Sequence, residues 1–453
     1  MRKAEITVYL SLIFILLMSF VGGIIESASI QVAKNYKRGD MDRAVESIFA
    51  EYQIGLLEEY EIFALEGTYE TGDFSYRNIL NRIVYYGGGE AEREITGIRL
   101  LTDDNGKAFQ EQIIAYMEHK MGITELNLLT GNTETWGQQE EQSKEYQAEE
   151  TAIQSEMTAS LSEAEEMLPE EENPLVNIAS IKQSNLLNIV VPDPELLSQK
   201  QINLTDIPSG RRLQKGFGTF PVATANKILS KAVIGEYIME QFHNFLDTQE
   251  TDAISYQIEY ILGGKASDME NLKYVVNRLI MLRFVPNYTH LLSDAQKKSE
   301  AAALATSLCT LLTVPEISEI VKQAILLAWA YGESVMDVRS LLNGKKVTMV
   351  KTAENWQLSL SGLLTLGTSD DAKEGADMEG GLEYQTYLRM LLFTADQDTQ
   401  VMRILDMIEL ELRVGKGYSF FRADHCISAV EIQSNYALRR NIQYQFYTRF
   451  SYR

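Results

Sequence analysis

The apolar positions of this chain follow three different rhythms. The first has no polar beat: from Ile6 to Ile25, between Glu5 and Glu26, there is no Asp, Glu, Lys or Arg. At ~1.5 Å of rise per helical residue that stretch spans about 30 Å, the hydrocarbon thickness of a bilayer. Beyond Glu26 the rhythm becomes that of a one-sided helix, with Ala44, Val45, Ile48, Phe49, Tyr52, Leu56 and Phe63 recurring at three- and four-residue steps. The anchor is therefore expected to continue outward as a long helix to about Leu65, with Gly39-Asp40 as its one candidate kink.

The third rhythm is alternation. Ile442, Tyr444, Phe446, Thr448, Phe450 and Tyr452 fall on one side of an expected strand, with Gln443, Gln445, Arg449, Ser451 and Arg453 on the other. A strand near 425–434 is placed to pair with it across the loop at Asn435–Asn441. Further strands are expected over Ile95–Leu101 and, from the alternation of Ile254, Tyr256, Ile258, Tyr260 and Leu262, over 254–262. Helical patterns occupy 107–121, 224–247, 268–285, 294–312, 316–342, 354–366 and 381–413, and 368–381 reads as a polar loop. The runs Ala301–Val314 and Ile320–Tyr331 are too short to span a bilayer and read as buried helices. The fold class is α+β: a transmembrane helix continuing into a long helix, then a mostly helical body with antiparallel strands.

Four regions follow from these patterns. Residues 1–26 are a cytoplasmic start and transmembrane anchor, and 27–125 a helix-rich region. Residues 126–174 form an acidic linker or protruding helices, and 175–453 an α+β extracytoplasmic body. Within 134–173 thirteen Glu face one Lys. Such a density is usually solvated, yet Tyr146, Ile153, Met157, Leu161, Ala164 and Leu168 make a helical stripe.

A cleaved signal peptide is the alternative to an anchor, and Arg2 and Lys3 suit its basic start. Its apolar core usually runs ~7–15 residues to a small-x-small site; here the core is longer, and Ser27, Ala28 and Ser29 come after Glu26. Arg2 and Lys3 favour a cytoplasmic N-terminus, Lys34, Lys37 and Arg38 oppose it, and long domains cross largely regardless of such charges. The expected topology is a single pass with the body outside. Ser19, Gly23 and Ser27 lie four apart on one helix face, a spacing that lets two membrane helices approach closely, although Gly and Ser are common in such helices anyway.

The net charge of -23 argues against nucleic-acid binding, which needs a Lys/Arg surface. Cys309 and Cys426 are too few for a disulfide framework, and a bridge between them stays open. No catalytic constellation emerges. His119, His243, His290 and His425 have no zinc spacing. Gly216-Phe217-Gly218 and Gly87-Gly88-Gly89 lack the context of a phosphate loop, and the adjacent Asp424 and His425 are poorly placed for one to orient the other. No metal, cofactor or catalytic residue is expected.

The opening ITVYLSLIFILLMSFVGGIIESASIQVAKNY, followed by AEYQIGLLEEYEIFAL, resembles the N-terminus of pseudopilin-like proteins of Tad (tight-adherence) pilus systems. It differs from type IV pilins in having no Gly ahead of the anchor and no acidic residue inside it. The stretches NPLVNIASIKQSNLLNIVVPDP, IPSGRRLQKGFG, YQIEYILGGKASDMENL, ILLAWAYGESVMDVRSLLNGKKV and NWQLSLSGLLTL resemble an uncharacterised bacterial domain family associated with those systems. The resemblance implies a membrane-tethered envelope component, not necessarily a filament subunit; together with the lack of a catalytic constellation it leads to the expectation of a non-enzymatic protein whose partners are other pilus-assembly proteins. A membrane-anchored enzyme or ligand-binding module acting on envelope polymers is the competing reading.

Overall fold

The computed structural model describes residues 2–130, 133–163, 169, 173–221, 227–249, 253–311, 314–368, 371, 374–439 and 442–452. The fold is α+β, and it divides into two compact units that cut across the chain. Unit 1 comprises 1–116, 211–224 and 408–453; unit 2 comprises 117–210 and 225–407. The body expected over 175–453 is thus shared: its last strands fold with the N-terminal region.

Unit 1 begins with α1 (Arg2–Phe49), which Gly39-Asp40 does not interrupt. It continues through α2 (Ile54–Tyr60), β1 (Leu65–Glu66), α3 (Tyr76–Tyr85), β2 (Glu92–Leu100) and the start of α4 (Asp103–Thr130). It is completed by β3 (Cys426–Ala437) and β4 (Gln443–Ser451). The sheet is antiparallel, with β3 between β2 on one side and β1 and β4 on the other. Both expected C-terminal strands are present, and their register pairs Ser434 with Phe446 and Val430 with Phe450. Phe446 and Thr448 are buried, Tyr444 and Phe450 half-buried, and Gln443, Gln445 and Arg449 exposed, as alternation over one packed face requires.

The last third of α1 covers that face. Met41, Ala44, Val45, Ile48 and Phe49 are buried against Ile98, Leu100, Ile427, Val430, Ile432 and Phe446. Each large side chain so buried contributes ~1.5–3 kcal/mol. Toward its N-terminus the same helix keeps contact through Lys37 over the Tyr436 ring and Lys34 over Tyr444, at 5.3 and 5.1 Å.

Residues 211–221 are held within unit 1 by a close backbone approach. Ile98 and Phe217 exchange two backbone hydrogen bonds of 2.8 Å. Glycine is required on both sides of this contact. A Cβ on Gly216 would lie 2.2 Å from the Ile98 carbonyl oxygen, and one on Gly218 (φ 89°) 2.7 Å from the Gly97 Cα.

Unit 2 is helical: α5 (Thr133–Glu163), α6 (Pro174–Gln183), α7 (Leu187–Val190), α8 (Lys227–Gln241), α9 (Gln257–Gly263), α10 (Asp268–Ser293), α11 (Ala295–Leu311), α12 (Ser318–Leu342), α13 (Gly362–Thr365), α14 (Tyr384–Thr394) and α15 (Gln397–Val414), the last running on into unit 1. Its centre is α12, buried along all of Ala324–Leu342 and packed against α10 and α11.

Three expectations are corrected here. Residues 254–262 are not a strand: α9 is buried on every side, Gln257 and Glu259 included, so polarity carries no period there. Those two polar side chains instead accept the backbone N–H of His243 and Phe245, at 3.0 and 2.9 Å. The helix expected over 354–366 shrinks to α13, because the N–H groups of Gln357 and Leu358 are taken by the Glu333 carboxylate. The acidic segment is one helix over 133–163, and it is docked rather than protruding along its first half. Tyr146 meets the Tyr288 ring edge-on at 5.3 Å, and Glu140 accepts from Arg278. Ala164 and Leu168 of its expected stripe lie outside the described residues.

Candidate functional site: an unburied apolar helix and a polar cleft

The first half of α1 is not buried by any of the described residues. Its apolar window has a mean hydropathy of 2.5 and none of it is buried. Phe14, Leu16 and Phe20 are each more than 60% exposed. Large apolar side chains presented on every side of one helix are compatible with lipid and costly in water. Ser19, Gly23 and Ser27 are all exposed on this helix, and a Cβ at Gly23 would meet nothing within 4 Å. The face they form is open, as a helix-packing face would be.

Unit 1 also holds a cleft of about 1240 Å³ that sequence reading did not anticipate. One wall is the β2–α4 junction, residues 98–105, and the other is 211–220. Asp103 ties the walls together: its carboxylate accepts from the backbone N–H of Leu100 (2.7 Å) and of Gly216 (3.0 Å), 113 positions away. Burial pushes the Asp103 pKa up. At the turn, Asp104, Asn105 and Gly106 have φ of 53°, 57° and 75°, a left-handed run that Asp, Asn and Gly tolerate best.

Beneath the cleft, Arg211 donates to both oxygens of Glu409 (2.5 and 2.8 Å) and to Asp424. Asp424 also accepts the Gln214 N–H at 2.9 Å. Burial would raise the Asp424 pKa, but this N–H and Arg211 together hold its carboxyl below the usual range. Asp424 is therefore committed to Arg211 and Gln214, while the neighbouring His425 stacks on Phe74, its pKa lowered by burial.

Unit 2 carries a second buried charge cluster. Lys351 bridges Glu333 (2.5 Å) and Asp337 (2.7 Å), and Asp337 is paired with Arg283 at 3.0 Å. All four side chains are fully buried, which makes them structural, since no reactant reaches them. A separate open cleft in the same unit, about 640 Å³, is lined by Trp356, Gln357 and the acidic loop 374–379. Cys309 and Cys426 are buried and unbridged. Among the described residues no three His, Cys, Asp or Glu converge as a metal site.

One buried acid has a measurable consequence. Glu259 accepts from the Phe245 N–H and the Tyr384 hydroxyl, and burial raises its pKa to about 7. The folded state then holds a proton that the unfolded chain, near the ordinary 4.5, releases. Stability from this group is full below about pH 4.5 and is lost as pH rises to about 7, by roughly 3 kcal/mol. Glu259→Gln removes this loss, so the stability difference between variant and wild type should move in the variant's favour by about that amount between pH 5 and 8. Urea unfolding followed by tryptophan fluorescence reads it, because Trp136, Trp329 and Trp356 all lie in unit 2. A difference that stays flat over this range would mean that Glu259 titrates normally.

The architecture defines a class: among the described residues, one apolar helix long enough to cross a bilayer, continuous with a mostly helical α+β protein. Within that class, residues 164–438 match the model of a family of unknown function, DUF5702, and the chain belongs to this family. No characterised protein and no solved structure matches it.

Proposed function

We propose that this protein is a non-enzymatic assembly component of a Tad-like pilus system. α1 holds it in the cell membrane as a single pass, with the N-terminus cytoplasmic and both units outside, and it acts through contacts with other pilus-assembly proteins. The observation that carries this reading is the unburied apolar half of α1, which runs without a break into the half that packs the sheet of unit 1. A membrane helix rigidly joined to a folded body transmits position from one to the other, which is what an assembly scaffold needs. The pseudopilin-like opening residues supply the link to pilus machinery. Ser19, Gly23 and Ser27 give the anchor a face for a neighbouring helix.

The test exchanges residues 1–25 for an unrelated single-pass anchor. The chimera should remain folded and membrane-bound yet recover pilus-assembly proteins several-fold less well. Filament formation equal to wild type would reduce the anchor to a tether and remove this reading. Orientation is checked with Gln142→Cys, at an exposed position of α5. An impermeant thiol reagent should label it on intact cells, whereas labelling only after lysis would place the body inside.

A further inference from the structure

We propose that the free end of the β3–β4 hairpin, at Leu438 and Arg439, rests on the phospholipid headgroups of the bilayer that α1 crosses, where Arg439 donates to a headgroup phosphate. This contact depends on the membrane span of α1 and not on the pilus assignment. Three side-chain contacts fix how the hairpin lies against the helix. Phe450 stacks on Phe49, the Thr448 hydroxyl donates to Asp42 at 3.2 Å, and Tyr444 lies under Lys34. Followed from Phe450 back to Tyr444, β4 therefore runs beside α1 toward its apolar half. The two paths have matching lengths, about 20 Å of strand at ~3.3 Å per residue and about 22 Å of helix at ~1.5 Å.

Past Tyr444 the hairpin outruns the rest of the sheet. β2 stops pairing at Glu92 and Asn435, whereas β3 and β4 stay paired to Ala437 and Gln443, and the Leu438 N–H donates to the Ile442 carbonyl at 2.8 Å. Lys34 and Lys37, which mark the levels of Tyr444 and Tyr436, lie about 13 and 18 Å beyond Ile25 at ~1.5 Å per residue. Arg439 is three residues past the Tyr436–Tyr444 pair, about 10 Å nearer the bilayer at ~3.3 Å per residue. That places it about 4–8 Å outside the hydrocarbon, within a headgroup layer about 5–8 Å deep. Arg439 is exposed and forms no ion pair among the described residues. Nor do Lys34, Lys37, Arg38 and Arg93 at the same end of unit 1: both lysines lie over tyrosine rings, and Arg93 donates to the Gly88 and Gly89 carbonyls and to Tyr436. The carboxylates at this end, Glu26, Glu90 and Glu92, are fewer than these five cations. A guanidinium suits a phosphate because its planar fork donates two parallel N–H groups to it.

The test is fluorescence depth quenching on the full chain in vesicles of phosphatidylcholine and phosphatidylglycerol. Cys309 and Cys426 are buried, so a fluorophore attaches to one introduced cysteine at a time. Leu16→Cys, Ala437→Cys and Ser451→Cys place it at exposed positions. A nitroxide on the lipid acyl chain should quench Leu16→Cys, and one on the headgroup should quench Ala437→Cys. Neither should quench Ser451→Cys, which lies more than about 30 Å outside the hydrocarbon at ~3.3 Å per strand residue. Adding Arg439→Gln should cut headgroup quenching at Ala437→Cys at least twofold and Arg439→Lys restore part of it, with Cys426 as unreactive as in wild type. No acyl-chain quenching at Leu16→Cys would overturn the span itself. Quenching there with none at Ala437→Cys would overturn the hairpin contact while the span stands. Undiminished headgroup quenching in Arg439→Gln would overturn the assignment of the phosphate to Arg439.

Discussion

Arg211→Ala should destabilise unit 1 by roughly 3–5 kcal/mol, the usual cost of removing one partner from a buried ion network. Glu409 is fully buried and Asp424 nearly so, and both lose their cation at once. Arg413, 3.6 Å from Glu409, and Arg422, 3.5 Å from Asp424, are more exposed and replace only part of the lost attraction. Arg211→Lys should recover part of the loss, because an ammonium cannot donate to both Glu409 oxygens and to Asp424 in the fork geometry of a guanidinium. The native cysteines report the two units separately, Cys426 being buried in unit 1 and Cys309 in unit 2. Thiol labelling of Cys426 should accelerate roughly a hundred- to several thousandfold in Arg211→Ala, at about tenfold for each 1.4 kcal/mol, with Cys309 unchanged. Equal rates in variant and wild type would mean that Glu409 and Asp424 are satisfied without Arg211.

The same network shows what the sequence concealed. β4 was legible because one of its faces is packed and the other is solvated, so burial writes an alternation into the residues. The unburied apolar half of α1 was legible for a similar reason, since twenty residues without a charge read as one uninterrupted apolar helix of bilayer length. α9 was not, because a helix buried all round erases its own period, and its Gln257 and Glu259 accept from loop N–H groups 14 residues away. The cleft was harder still. Arg99 and Thr102 belong to the β2–α4 junction, whereas Arg212 and Lys215 come from a segment joined to it by the Ile98–Phe217 backbone pair. The run Gly210-Arg211-Arg212-Leu213-Gln214-Lys215-Gly216 was its only local trace: three cations between glycines in an acidic chain. Even there the sequence did not say that Arg211 is buried in ion pairs and Arg212 free. The division into units was hidden because β3, to which β4 is joined as a hairpin, pairs with β1 and β2, strands more than 300 residues earlier.

Phe49→Ala tests the junction on which the assembly role depends. Phe49, in the last turn of α1, is 1% exposed. Its ring stacks on Phe450 with centroids 4.3 Å apart and meets Tyr452 edge-on at 5.4 Å, while its carbonyl accepts from the Tyr452 hydroxyl. Truncation removes the ring from the contact between helix and sheet and leaves a cavity, at an expected cost of 3–5 kcal/mol to unit 1. The apolar half of α1 is untouched, so the variant should stay in the membrane fraction at wild-type level while Cys426 labelling rises as in Arg211→Ala. In the proposed topology anchoring and folding are then separable properties of one helix: lipid would hold residues 6–25, and the sheet holds the stretch from Met41 to Phe49. If anchor and body work as one rigid lever, recovery with assembly proteins should fall in Phe49→Ala although every residue of the membrane segment is native. A cost below about 1 kcal/mol, or full recovery with partners despite faster Cys426 labelling, would show that the body needs only to be tethered, and that the rigid passage from bilayer to sheet has no part in its function.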